Sequence, residues 1–184
     1  MPVSSKDWVN KFPTSISVDD LDTPFRTNVK KFLAALAAAG ATVLIRATYR
    51  PKERAYLMHY AFRIAREGLS PVGIPTRVNI DIEWAHKDAE GKVDLVASRN
   101  AAEDMVEAYG IAYRPALRSN HTARLAIDMT ISWEGDLKIL DARKKTVTIG
   151  SPRSGQNSAL IQVGATYKVI KLISDPPHWS FDGK

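Results

Sequence analysis

Apolar and polar positions along the chain follow two periods. In "TPFRTNVKKFLAALAAAG" (23–40) Phe25, Val29, Phe32, Leu33 and Leu36 recur at helical spacing. Thr23 is placed to cap that helix, Pro24 fits its first turn, and Gly40 stops it. The apolar run "ATVLIRATYR" (41–50) predicts a buried strand, and "PKERAYLMHYAFRIAREG" (51–68) opens on proline and closes on glycine as a second helix. "LSPVGIPTR" is dense in turn formers and reads as a loop. "VNIDIEW" (78–84) alternates with period two, as a strand does, and "HKDAEGK" is a polar connection. "SRNAAEDMVEAYG" (98–110) predicts a helix capped by Ser98 and ended by Gly110. Beyond it come a strand in "RLAIDMTISW" (124–133) and a hairpin near 136–149. A helix in "SGQNSALIQVGATY" follows, then a strand in "KVIKLISDPPHWSF" running into a proline turn. The sum is an α+β fold, with helices packed on one small antiparallel sheet. No linker, repeat or low-complexity stretch interrupts it, so the expectation is a single domain over 1–184 with its core at about 25–182.

Composition narrows the chemistry. The 184 residues suffice for one sizeable core, and 45% hydrophobic with 25% charged residues is ordinary for a globular chain. The absence of cysteine excludes disulfides, a cysteine nucleophile and thiolate zinc fingers, leaving His, Asp and Glu as metal ligands. A net charge of +6 favours an anionic partner; nucleic acid, phospholipid and the bacterial wall all qualify, and a basic surface also serves solubility alone. No run of about 18 apolar residues predicts a membrane span. "MPVSSKDWVNKFPTSISVDDL" lacks a basic stretch followed by an apolar one, so synthesis in a cytoplasm without a Sec signal is expected.

Histidines are few: His59, His86, His121 and His178. His121 stands in "SNHTARLAIDM", seven positions before Asp128, a carboxylate set among Leu125, Ala126, Ile127 and Met129. An ionised carboxylate in such company needs a partner. His178 lies three after Asp175 in "SDPPHWS". Two imidazoles and one carboxylate make the ligand set of a catalytic zinc with a fourth position open, while Asp175 suits a general base and proton donor. Each has a plainer reading: a lone histidine is commonly a hydrogen-bonded structural residue, and Asp175 before two prolines initiates a turn. His59 in mid-helix reads as packing. His86 beside Asp81, Glu83 and Asp88 reads as a charged turn or a cation site, Trp133 and Trp179 as core or site walls, and "DARKK" (141–145) as a solvated turn or an attractor of anionic polymer.

"SNHTARLAID" resembles the Ser-x-His-x-x-Gly-x-Ala-x-Asp motif of the zinc D-alanyl-D-alanine peptidases. That superfamily comprises the VanY-like carboxypeptidases and dipeptidases and the L-alanyl-D-glutamate endopeptidases of phage endolysins. Ser119, His121, Ala126 and Asp128 match, and Arg124 stands where the motif has glycine, a residue that permits positive φ. "SDPPHWSF" is similar to the family's second motif, and "RATYRP" (46–51) to its Ser-Gly-Tyr-Arg segment, with Tyr49 and Arg50 matching. The resemblance implies a Hedgehog/D-Ala-D-Ala-peptidase-like fold and one zinc ion held by His121, Asp128 and His178. It makes Asp175 the catalytic acid/base and Arg50 the group that binds substrate and steadies the tetrahedral intermediate. Tyr49 joins Arg50 at the substrate, and Ser119 orients the loop or bonds substrate.

The implied activity is hydrolysis of an amide bond in peptidoglycan stem peptides. Aspartate rather than glutamate in the second motif points to an L-alanyl-D-glutamate endopeptidase before a D-alanyl-D-alanine carboxypeptidase. The expected partner is a peptidoglycan peptide, without nucleic acid or membrane insertion, for a monomer reaching the wall by phage release or delivery. A non-catalytic wall-binding module keeping the fold is the alternative that Arg124 suggests. A metal-dependent nuclease lacks the acidic cluster that magnesium requires.

Overall fold

The computed structural model describes residues 1–184. In chain order its elements are α1 (Phe25–Ala38), β1 (Thr42–Ala47), α2 (Lys52–Arg66), α3 (Leu95–Tyr109), β2 (Ala126–Ser132), β3 (Leu137–Leu140), β4 (Thr146–Ile149), α4 (Ser158–Thr166), β5 (Ile170–Lys171) and β6 (His178–Ser180). They fall into two compact units, each built from two stretches of chain: Met1–Pro13 with Pro51–Ser119, and Thr14–Arg50 with Asn120–Lys184.

The unit containing Met1–Pro13 packs α2 against α3. Leu57, Ala61 and Ile64 of α2 and Ala102, Met105 and Val106 of α3 meet with Trp8, Ile82 and Trp84 in its core. Expectation and structure part at two places here. Residues 78–84 are not a strand, although they alternate: Asn79 takes φ 68 and the stretch makes only isolated bridges, Arg77 with Ile80 and Val3 with Glu83. The alternation instead buries Ile82 and Trp84 in the core. Helix α3 begins one turn early, with Asp94 accepting from the Ala97 N–H (2.9 Å) as N-cap. Ser98 faces the preceding loop, its hydroxyl accepting from the His86 N–H (2.9 Å) and donating to the Asp94 carbonyl (2.7 Å).

The other unit holds all six strands. Its four-stranded sheet has the order β1-β2-β6-β5 and is antiparallel throughout, with β3 and β4 forming a separate hairpin. Phe25, Val29, Phe32 and Leu36, the helical stripe expected of α1, bury against Ile127, Met129, Ile131 and Trp179. Thr23 does not cap α1; its hydroxyl accepts from the Arg26 guanidinium (3.1 Å), and no side chain caps that helix. Gly40 ends α1 at φ 85, its neighbour Ala41 donating back to the Leu36 carbonyl. The C-terminal stretch expected to be one strand is two, β5 and β6, paired with each other across the loop at 172–177. Lys171 opposite Trp179 and Ile170 opposite Ser180 make that hairpin. No helix is long and apolar enough to cross a membrane.

Trp179 sets where β6 lies, because its indole is fully buried and packs at 5.6 Å from the Phe32 ring. Gly164 of α4 makes room for it: a Cβ there would stand 2.7 Å from the indole and 3.0 Å from the Val169 carbonyl. Gly164→Ala therefore overpacks the core beneath His178. Overpacking costs roughly 1–3 kcal/mol against a helix-propensity gain of about 1 kcal/mol, so a net loss of up to about 2 kcal/mol is expected, read as a lower unfolding midpoint in denaturant.

Candidate metal centre

Asp128 lies on β2 with a strand on either side, opposite Ala47 of β1 and His178 of β6. Successive side chains on a strand point to opposite faces. Ile127 and Met129 enter the core, so Asp128 and its cross-strand partner His178 share the other face. His121 arrives from the turn that precedes β2. Its Nε2 stands 3.1 Å from Asp128 Oδ1 and 3.2 Å from His178 Nδ1, and His178 Nδ1 is 3.0 Å from the same carboxylate oxygen. Both histidines are buried and Asp128 is nearly so. Their rings meet edge to face, 4.9 Å between centroids.

What fits this trio to hold a metal ion is where the other ring nitrogens go. His121 Nδ1 faces the Thr48 carbonyl at 2.7 Å, and His178 Nε2 faces the backbone oxygen of Lys184 at 3.0 Å. A backbone oxygen only accepts, so each of those nitrogens carries the hydrogen. In the neutral rings His121 Nε2 and His178 Nδ1 are then lone pairs, aimed at a carboxylate that is also an acceptor. Three acceptors at this distance repel unless protons or a cation lie between them. Ligand atoms about 2.0–2.2 Å from a tetrahedral zinc stand roughly 3.3–3.6 Å apart, close to the observed spacing. The three side chains can hold a metal ion.

The surroundings keep the trio in place. The turn at 120–125 closes with the Leu125 N–H on the Asn120 carbonyl (2.8 Å) and the Arg124 N–H on the His121 carbonyl (3.2 Å). That bond pattern requires a left-handed residue at its close, and Arg124 adopts φ 64. The arginine thus takes the conformation that the motif's glycine permits, and its guanidinium stacks 4.2 Å over the Tyr49 ring. The segment at 46–51 is tied to His121 twice, through the Thr48 carbonyl and through the Arg50 N–H donating to the His121 carbonyl (3.2 Å). Thr48 is itself fixed by Ser15, whose carbonyl accepts from both its N–H and its hydroxyl.

Asp175 lies in the exposed loop between β5 and β6, and its carbonyl accepts from the His178 N–H (3.1 Å). Its carboxylate is near enough to contribute to the raised pKa of His178. Lys171 organises this loop and had no signature in the chain. Its buried ammonium donates to the carbonyls of Leu172 and Asp175 (both 2.5 Å) and His178 (3.2 Å). Asn120 is a second such residue, donating at 2.7 Å to both the Asp182 carboxylate and the Lys184 oxygen that holds His178. Neither is found by spacing, because each acts through backbone oxygens that only the folded chain brings near.

Of the remaining candidates, Ser119 is half-buried at the end of the other unit's second stretch. His59 is structural, its Nδ1 bonded to the Pro115 carbonyl (2.8 Å). His86 turns its Nε2 to Ser4, and the acids beside it in sequence form no convergent group with it. Trp133 and Trp179 are core residues.

Burial opposes the Asp128 charge, yet the hydrogen bonds and charge of His121 and His178 outweigh it and hold the carboxyl well below the usual range. For His178 burial favours the neutral ring, but Asp128, the Lys184 oxygen and Asp175 raise its pKa above 6.5. A raised folded-state pKa stabilises below the unfolded value, and that stabilisation is lost as pH rises through the folded value. The metal-free protein should therefore lose stability as pH rises past the ordinary histidine value. A metal must displace the same proton, so zinc affinity should rise with pH over that window. Thermal unfolding with and without zinc across about pH 5.5 to 8.5 reads both, and a pH-independent zinc affinity would contradict the ligand set.

At Arg124 the strain of positive φ is about 1–2 kcal/mol. The stacking on Tyr49 returns about 0.5–1 kcal/mol, and glycine carries its own entropic cost of roughly 0.5–1 kcal/mol. Arg124→Gly should thus change stability by less than about 1 kcal/mol, while Arg124→Ala, which loses the stacking and keeps the strain, should cost roughly that much. Equilibrium unfolding of the two variants checks the order.

Compared with known protein families and with curated proteins, the chain matches none.

Proposed function

We propose that the protein is a zinc-dependent peptidase of peptidoglycan stem peptides, most simply an L-alanyl-D-glutamate endopeptidase, with D-alanyl-D-alanine carboxypeptidase activity as the second reading. The observation that carries this is the convergence of His121, Asp128 and His178 with both outward ring nitrogens already committed to backbone oxygens. Beside it stand an acid with no ligand duty, Asp175, and an arginine whose backbone is bonded to a ligand residue, Arg50. A nitrogen-and-carboxylate set with an open position suits zinc.

Zinc held there would supply Lewis acidity toward a peptide carbonyl and toward water. The chain's own residues do the rest. Asp175 takes the proton of the attacking water as the new C–O bond forms, then gives it to the amine nitrogen as the C–N bond breaks. The Arg50 guanidinium donates to the carbonyl oxygen as it becomes an oxyanion, when a fixed positive charge counts most. Lys171 holds the Asp175–His178 loop from below through three carbonyls, so the proton carrier and the ligand keep a constant spacing.

An anionic target suits the charge distribution. Fourteen Lys and Arg side chains against nine Asp and Glu fall in the unit that holds the trio, nearly the whole excess of the chain. Lys31, Lys138, Lys144 and Lys168 line a cleft of about 600 Å³ in that unit with no acid among its walls. The non-catalytic alternative leaned on Arg124, and with the left-handed conformation retained at that residue the departure from glycine leaves the ligand turn intact.

Incubation of the zinc-loaded protein with muropeptides, read by mass spectrometry, names the bond from the fragment masses. Asp175→Ala should lower turnover by at least about 100-fold while retaining one zinc per chain, and His121→Ala should lose the metal. An Asp175→Ala variant that cleaves normally would refute the assigned proton carrier.

A further inference from the structure

A groove of about 360 Å³ lies along the sheet next to the metal loop. Its walls include Arg46, Thr130, Ser154, Gln156, Pro176 and Pro177. The two prolines belong to the segment joining Asp175 to His178, so one wall of the groove is formed by the loop that carries the proposed proton carrier. The Pro177 carbonyl accepts from the Met129 N–H (2.8 Å), which pins that wall to β2 immediately after Asp128.

Strand register brings Arg46 to the same place. Leu44 pairs with Thr130 and Ile45 with Met129, but Asp128 pairs with Ala47, so Arg46 is the extra residue of a β-bulge. Bulges re-aim a side chain out of the regular ladder. Met129 and Ile131 point into the core, which leaves Thr130 on the face that carries Asp128 and His178. Arg46 thus stands one residue from the partner of a metal ligand and two residues before the carbonyl that holds His121.

The Arg46 side chain is exposed and forms no hydrogen bond or ion pair within the molecule, and no acid lines the groove. A guanidinium presents a planar fork of donors that fits a carboxylate with two parallel bonds, a fit an ammonium lacks. Thr130, Ser154 and Gln156 supply the neutral hydrogen-bonding groups that a peptide backbone needs alongside it.

From this arrangement we infer that the groove is a substrate subsite in which Arg46 receives a free carboxylate of the peptide being cleaved. The inference rests on the peptidase reading and adds to it a selection: a stem peptide with a free carboxylate next to the scissile bond is preferred over the same peptide carrying a carboxamide.

Two synthetic peptides containing L-alanyl-γ-D-glutamate and L-alanyl-D-isoglutamine, otherwise identical, provide the test. Cleavage by the zinc-loaded protein is measured alongside calorimetric binding of both peptides to the zinc-loaded Asp175→Ala protein. The acid peptide should bind and react at least about tenfold better, the span of one charge-assisted pair. Arg46→Gln should bring that ratio close to one, mainly through KM, and Arg46→Lys should restore part of it. If the wild type cleaves both peptides equally, or Arg46→Gln keeps the preference, the subsite is wrong and the peptidase reading stands. If neither peptide is cleaved but the acid one binds through Arg46, the peptidase reading fails and the subsite stands. Absence of both cleavage and binding overturns both.

Discussion

Two backbone oxygens govern the site. The Thr48 carbonyl and the Lys184 oxygen each take the N–H of one imidazole, and so decide which nitrogen of His121 and of His178 is left as a lone pair. Were either oxygen elsewhere, the ring could flip or change tautomer, and the three acceptors around Asp128 would no longer converge. The outer contacts are therefore as much part of the centre as the three side chains. Each is anchored in turn: Thr48 by Ser15, and Lys184 by Asn120 and by the Ser180 hydroxyl. The residue next to His121 thus holds the oxygen that orients His178.

The sheet imposes a second condition. Asp128 and His178 are a cross-strand pair, and a slip of one residue in β2 against β6 would put them on opposite faces of the sheet, one of them turned into the core. Trp179 and Ile127, the neighbouring pair, prevent that slip because both are fully buried in the core. On the other edge the bulge at Arg46 breaks the ladder between β1 and β2 without disturbing the core residues on either side. Packing on one face of the sheet holds the chemistry on the other.

Polar atoms near the site are arranged so that few charges go unanswered. Buried Lys171 meets three carbonyls, and Asp128 meets two imidazoles. Asp175 and Arg46, by contrast, are exposed and take no part in these buried contacts, and the proposed proton transfer and carboxylate binding fall to them. Desolvation explains the division: a charge that is buried must be paired, and a charge held for a ligand must stay wet until the ligand arrives.

Much of this was legible in the chain. Helical spacing from Phe25 to Leu36 predicted α1, the stop at Gly40 was met, and the strand expected within 124–133 is β2. The residues of the trio stood out as scarce histidines and a misplaced acid. Local pattern failed where a residue served a distant neighbour: Ser98 answers His86 instead of capping α3, and the alternating stretch at 78–84 buries Ile82 and Trp84 without strand partners. Lys171, Asn120 and the Thr48 carbonyl could not be read from spacing at all. The sequence by itself determined the four helices, the strands around 41–50 and 124–133, and which side chains were candidates to converge, since periodicity and side-chain chemistry are local properties. Only the tertiary structure decided which ring nitrogens face inward, that Arg124 takes a left-handed turn, and that Arg46 lies beside the Asp175–His178 loop, because each depends on backbone groups brought together across many residues.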